Sequence, residues 1–227
     1  AFIYHGSASG LSTTAATELE SNQATAFLGI SVASAGDVNG DGYSDVIVGA
    51  LAYDNGQTDE GAAFIYHGSS SGLSTTAATQ LEKNQDYAEF GVSVASAGDV
   101  NGDGYSDVIV GAYLYDNGQT NEGAAFIYHG SDTGLSTTAA TQLEENQAGA
   151  FLGISVASAG DVNGDGYSDV IVGAYGYENG QTYEGAAFIY HGSSSGLDTT
   201  AATQLESNQA SARFGYSVAS AGDINGD

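Results

Sequence analysis

The chain has 227 residues, enough for one large domain, with 34 Gly and no Pro, Cys, Met or Trp. The lack of cysteine excludes disulfides, thiol catalysis and zinc–thiolate sites. Lys83 and Arg213 are the whole Lys and Arg content against 28 Asp and Glu, a formal charge of −26, so the cationic footprint that nucleic acid or anionic lipid requires is missing.

Taken from its start, the chain opens on Ala1-Phe2-Ile3-Tyr4-His5-Gly6, which reads as a strand and returns at Ala63, Ala125 and Ala187, a period of 62 residues. Such periodicity marks a repeat architecture. Each unit predicts four strands. The first is Gly29 to Gly36, small and alternating, which suits an inner strand packed near a central axis. The second is Asp45 to Ala50, apolar on both faces and therefore buried. After a loop with an Asn55-Gly56 turn signal comes the third, Ala62 to His67, and then a weaker fourth near Thr79 to Glu82. Ala77-Ala78, just ahead of it, offers a short helical turn as an alternative. The expected division is 1–26 (third and fourth strands of one unit), 27–88, 89–150, 151–212, and 213–227 (the first strand and part of a loop of a further unit). Four antiparallel strands per repeat describe an all-β fold, a β-propeller of four-stranded blades; a β-solenoid repeats over fewer residues. The chain begins inside a strand and ends inside a loop, so it is expected to be a piece of something longer. It has no run of about 18 apolar residues that would span a bilayer and no visible targeting segment.

Between the first two strands stands Asp37-Val38-Asn39-Gly40-Asp41-Gly42-Tyr43-Ser44-Asp45. It recurs at Asp99 to Asp107 and Asp161 to Asp169, and begins again at Asp223-Ile224-Asn225-Gly226-Asp227. The oxygens of Asp37, Asn39, Asp41 and Asp45, with the carbonyl of Tyr43, form a hard, all-oxygen donor set. Such a set suits Ca²⁺, which takes roughly 6–8 oxygens in a flexible shell, better than Mg²⁺. The expected ligands are therefore Asp37, Asn39, Asp41, Tyr43 and Asp45; Asp99, Asn101, Asp103, Tyr105 and Asp107; Asp161, Asn163, Asp165, Tyr167 and Asp169; and Asp223, Asn225 and Asp227. A plain hairpin turn would need the glycines but not all the acids. An EF-hand would need an acid at loop position 12 and flanking helices. That position is Val48, within a β-branched run, so the loop belongs to a β-hairpin.

Phe90-Gly91 and Phe214-Gly215, followed by Ser-Val-Ala, the Asp-x-Asn-x-Asp-Gly-x-x-Asp loop and Val-Gly-Ala, resemble FG-GAP repeats, the blades of integrin α-subunit propellers and of many bacterial secreted proteins. The resemblance covers the whole chain and implies seven blades closed into a ring, with Ca²⁺ loops on one face. Two departures touch packing rather than ligands. Leu28 and Leu152 replace the Phe of the first motif, and Leu51, Tyr113 and Tyr175 replace the proline of the second.

Other patterns carry less. The four histidines (His5, His67, His129, His191) share one repeat position on separate units, which suits a structural role better than a metal cluster. Gly68-Ser69-Ser70-Ser71-Gly72 matches the nucleophile-elbow pattern, but the equivalent central residues Ala8 and Asp132 do not. Differences between repeats gather in the loops opposite the acidic hairpins, where Tyr53, Tyr87, Tyr115, Tyr177 and Tyr183 are expected to be exposed for stacking on a protein or carbohydrate ligand. The function expected from these features is a non-enzymatic, calcium-stabilised extracellular or cell-surface module for adhesion, ligand binding or surface structure, with self-assembly as a further expectation. The alternative is the propeller part of a secreted polysaccharide lyase or phospholipase-type enzyme. A lyase needs a base and a charge-stabilising cation in one cleft, and this composition supplies few candidates.

Overall fold

The computed structural model describes residues 1–224. Sixteen strands and no helix are found among them. Short strands open the chain: β1 (Phe2–Ile3) pairs with β4 (Thr17–Glu18), and β2 (Gly6–Ser7) with β3 (Gly10–Leu11). Three four-stranded antiparallel sheets follow, each a simple meander. The first holds β5 (Leu28–Gly36), β6 (Asp45–Ala50), β7 (Ala62–Tyr66) and β8 (Thr79–Leu81). The second holds β9 (Ser93–Gly98), β10 (Asp107–Ala112), β11 (Ala124–Tyr128) and β12 (Thr141–Leu143). The third holds β13 (Leu152–Gly160), β14 (Asp169–Ala174), β15 (Ala186–Tyr190) and β16 (Thr203–Glu206). The helical alternative at Ala77-Ala78 is not taken up: Ala78 N–H donates to Ile65 O, which leads the backbone straight into β8.

The period-2 alternation of the strands gives each sheet two apolar faces, and neighbouring sheets stack through them. Ile47, Ala63, Ile65 and Leu81 of the first sheet meet Val110, Phe126 and Tyr128 of the second. Ile109, Ala125, Ile127 and Leu143 then meet Val172, Phe188 and Tyr190 of the third. Each fully buried Ile or Phe contributes roughly 1.5–3 kcal/mol relative to exposure. The inner strands lie side by side, β5 against β9 and β9 against β13, with the small Ser and Ala side chains allowing the approach. These are propeller blades.

A backbone stitch holds consecutive blades in place. Phe90 N–H donates to Glu60 O of the preceding blade (2.9 Å) and Phe90 pairs in parallel with Gly61, while Gly91 N–H ties to Gly111 O within its own blade (2.9 Å). The same bridges join Gly123 to Leu152 and Gly185 to Phe214. Glycine in the second strand is obligatory here, because a Cβ on Gly49, Gly111 or Gly173 would stand 1.9 Å from the carbonyl oxygen of Gly91, Gly153 or Gly215. The side chain ahead of each Gly plugs the layer: Phe90 and Leu152 are both fully buried. Residues 213–224 start the same way, with Phe214 bridged to Gly185 and Val218 N–H on Ser155 Oγ (3.0 Å). They form no strand, since no second strand of their own lies among the described residues.

Because Leu152 fills the site that Phe90 fills one repeat earlier, Phe90→Leu should cost less than about 1.5 kcal/mol, whereas Phe90→Ala should cost about 3–5 kcal/mol. Denaturant unfolding of the two variants measures the difference.

Candidate metal centre

The β5–β6, β9–β10 and β13–β14 connections are the acidic hairpin tips. Each is wound by hydrogen bonds from its own backbone to its own side chains. In the first, Asp37 Oδ1 accepts from Asp41 N–H (3.1 Å) and Asp37 Oδ2 from Gly42 N–H (2.8 Å). Asn39 Oδ1 accepts from Asp41 N–H (3.1 Å) and Asp41 Oδ1 from Tyr43 N–H (2.9 Å). The second and third tips repeat the pattern: Asp99 and Asp161 accept from Gly104 and Gly166, and Asp103 and Asp165 accept from Tyr105 and Tyr167. Gly40 and Gly42 sit at φ of +72° and +87°, which an L side chain resists. The coil therefore turns Asp37, Asn39 and Asp41 around one stretch of backbone.

Asp45, Asp107 and Asp169 do a different job. All three are fully buried. Asp107 Oδ2 accepts from Val100 N–H (2.9 Å) and Oδ1 from Gly130 N–H (3.0 Å), so the carboxylate staples the tip to the end of the third strand. Asp45 and Asp169 make the same pair of bonds. Burial pushes Asp107 up to about 7, against the opposing pull of those two N–H groups, and it raises Asp45 as well. Asp161, fully exposed, is held below the usual carboxylate range by its backbone donors, chiefly Gly166 N–H.

The donor set fits a hard cation, being all oxygen, and each carboxylate oxygen that accepts one N–H keeps a second lone pair. The side chains are nonetheless spread. Asn39 Nδ2 donates to Asp41 Oδ2 (3.1 Å), and among the described residues no three acidic or His side chains gather closely enough to hold a metal ion. Asp223 is exposed, and Asn225 and Asp227 lie outside the described residues. Neither cation of the chain is spent on a tip: Lys83 Nζ stands 4.2 Å from the Phe126 ring centroid, and the Arg213 guanidinium 5.9 Å from that of Tyr175.

The opposite loops depart from expectation. Tyr53, Tyr115 and Tyr177 turn inward, edge-on to Phe64, Phe126 and Phe188 at 5.2–5.3 Å, and so belong to the packing. Tyr87 and Tyr183 are exposed. Constancy across repeats is the signal that separates the two groups, since Tyr stays at 53, 115 and 177 while positions 87 and 183 change. An unforeseen aromatic ribbon runs across the blades instead: Tyr113 to Phe151 (6.1 Å), Phe151 stacked on Tyr175 (4.9 Å), then Tyr216 (5.4 Å). Every non-glycine residue with left-handed φ among the described residues lies in these connections, including Phe27, Tyr87, Phe151 and Tyr183. Glu60, Glu122 and Glu184, also unforeseen, are fully buried and cap the loop before the third strand; Asn55 N–H donates to Glu60 Oε1 (2.7 Å). The histidines remain apart, one per blade, with His67 and His129 packed toward Gly134 and Gly196 of the following blade. Ser69 Oγ is engaged by Gly72 O (2.8 Å), in a turn rather than at a strand-to-helix elbow.

Meandering blades joined by a Phe-Gly or Leu-Gly stitch, with an acidic coil at each inner hairpin, define a β-propeller repeat protein. The FG-GAP repeat matches at residues 28–66, 90–128 and 152–190, just over half of the sequence, and the chain belongs to the FG-GAP repeat family. It is 32% identical over 177 residues to integrin alpha-5 of Xenopus laevis, covering 74% of this chain and 16% of the integrin. It is 36% identical over 166 residues to integrin alpha-IIb of Mus musculus (70% and 16%) and 34% over 176 residues to integrin alpha-V of Gallus gallus (74% and 16%). The chain thus spans about a sixth of the length of these relatives. No helix among the described residues is long and apolar enough to cross a membrane.

Metal-free protein should become less stable as pH rises from about 4 to about 7. The folded Asp107 keeps its proton up to about 7 while the unfolded carboxyl loses it near 4, so the folded state binds more protons across that window. Melting in chelator-treated buffers across the window measures the trend, and Asp107→Asn should flatten it.

Proposed function

We propose that the chain is a non-enzymatic, calcium-stabilised propeller segment of an extracellular or cell-surface protein that serves adhesion or ligand binding. The observation that carries this reading is the thrice-repeated hairpin tip, an all-oxygen donor set, with Lys83 and Arg213 both set against aromatic rings instead. Ca²⁺ would be held by Asp37, Asn39, Asp41, the Tyr43 carbonyl and the outer lone pairs of Asp45, and by the same positions of the other tips. When bound, the ion would supply positive charge to the carboxylates of each tip. Loops of this kind in extracellular modules bind at about 10⁻⁴–10⁻³ M, a range filled outside cells and not in the cytosol.

Ligand contact is assigned to the opposite face, where the strained loops and the ribbon of Tyr113, Phe151, Tyr175 and Tyr216 lie. Strained backbone of this kind gathers at binding sites, and flat aromatic faces suit a protein surface or a sugar ring. The lyase reading has less support, since Lys83 and Arg213 rest on aromatic rings and the histidines stand on separate blades.

Melting in millimolar Ca²⁺ and in chelator tests the metal. At about one to ten times its dissociation constant, millimolar Ca²⁺ stabilises the fold by about 0.4–1.4 kcal/mol per tip, so with three tips the melting temperature should rise clearly with Ca²⁺, and little with Mg²⁺. Identical curves in Ca²⁺ and chelator would defeat the proposal.

A further inference from the structure

Each acidic tip is gripped by the blade that follows it. Asp37 N–H donates to Ser106 Oγ (3.2 Å), and Ser106 N–H donates back to Asp37 O (3.0 Å). Ser131 N–H takes the next carbonyl, Val38 O (3.0 Å), and the neighbouring Gly130 N–H is bound to Asp107. The contact is close: a Cβ on Gly36 would lie 2.2 Å from Ser106 Oγ, and one on Gly40 would lie 2.5 Å from Tyr105 Cε1. One repeat on, Asp99 is held by Ser168 in the same two bonds (3.2 and 2.9 Å), Ser193 N–H takes Val100 O, and Tyr167 covers Gly102. Ser106 and Ser168 are therefore the eighth residues of one acidic tip and the anchors of the first acid in the tip before it. The third tip has no such grip among the described residues: nothing meets a Cβ on Gly160 or Gly164, and Val162 is 52% exposed, whereas Val38 and Val100 are buried.

We propose that Ser106 and Ser168 are positioning residues for the cation site of the preceding blade, and that they couple neighbouring sites. The inference rests on the calcium reading above. A cation that fixes the second tip also fixes Tyr105 to Asp107, hence Ser106, hence the backbone that presents the Asp37 carboxylate. A cation in the first tip holds the same contact from the other side. Linkage makes the effect on affinity reciprocal although the contact points one way along the chain. The sites should fill cooperatively rather than as independent loops.

Calorimetric titration with CaCl₂ in an Asp161→Asn/Asp165→Asn background, which silences the third tip, tests this. The parent should bind with a Hill slope above one. Ser106→Ala removes one hydrogen bond at a ligand-bearing residue, so it should weaken first-tip affinity by about threefold to tenfold and bring the slope to one. Ser106→Thr, which keeps the hydroxyl, should restore both. Ser44→Ala is the matched control, because Ser44 occupies the same loop position and its hydroxyl makes no hydrogen bond among the described residues; it should leave both unchanged. If Ser106→Ala binds Ca²⁺ with unaltered affinity and slope, the coupling is wrong while the calcium site stands. If the parent takes up no Ca²⁺ at millimolar concentration, both fall.

Discussion

Like charges set along one hairpin tip raise one another's cost, and this chain places three acids in each of three nine-residue tips with two Lys and Arg residues in its whole length. The backbone supplies part of the answer. Asp37, Asn39 and Asp41 each collect N–H donors from their own turn, and Asp45 takes two more in a buried staple. At Asp107 the two N–H donors lower the cost of the charge without cancelling the effect of burial, which, with smaller contributions from Asp103 and Asp99, displaces the carboxyl upward to about 7. On the proposed reading, a hard divalent cation would complete this arrangement.

The propeller architecture decides where the crowding can be tolerated. Inner strands of Ser and Ala bring blades together closely enough for one tip to lean on the next, through Ser106 and Tyr105. On the other side of the sheet, the Phe-Gly stitch forces glycine into the second strand and leaves the plug position to Phe or Leu. Both contacts join successive blades, so acidic tip and packing layer meet at the same seam. Disturbance at a tip should be felt by its neighbour rather than stay local.

Much of this was legible because the chain repeats itself. The second strand, Asp45–Ala50, and the third, beginning at Ala62, fall where apolar, β-branched runs placed them, and the acidic tip lies between the first two strands as its glycines required. The illegible parts depend on partners a full repeat away. Ser106 looks like turn filler until Asp37 is brought to it, and Tyr115 looks like a loop aromatic until Phe126 lies edge-on beneath it. Nothing in the sequence marks Asp45 off from the other acids of its tip, and its burial and its bond from Gly68 N–H, which staple the tip to the third strand, depend on a residue 23 positions away. Glu60 carried no local signal beyond its recurrence at 122 and 184.

Anomalous diffraction from crystals grown in millimolar calcium tests the account most directly. It predicts a peak at each of the three tips, beside Asp37 and Asp41, Asp99 and Asp103, and Asp161 and Asp165. Well-ordered tips without such peaks would contradict it.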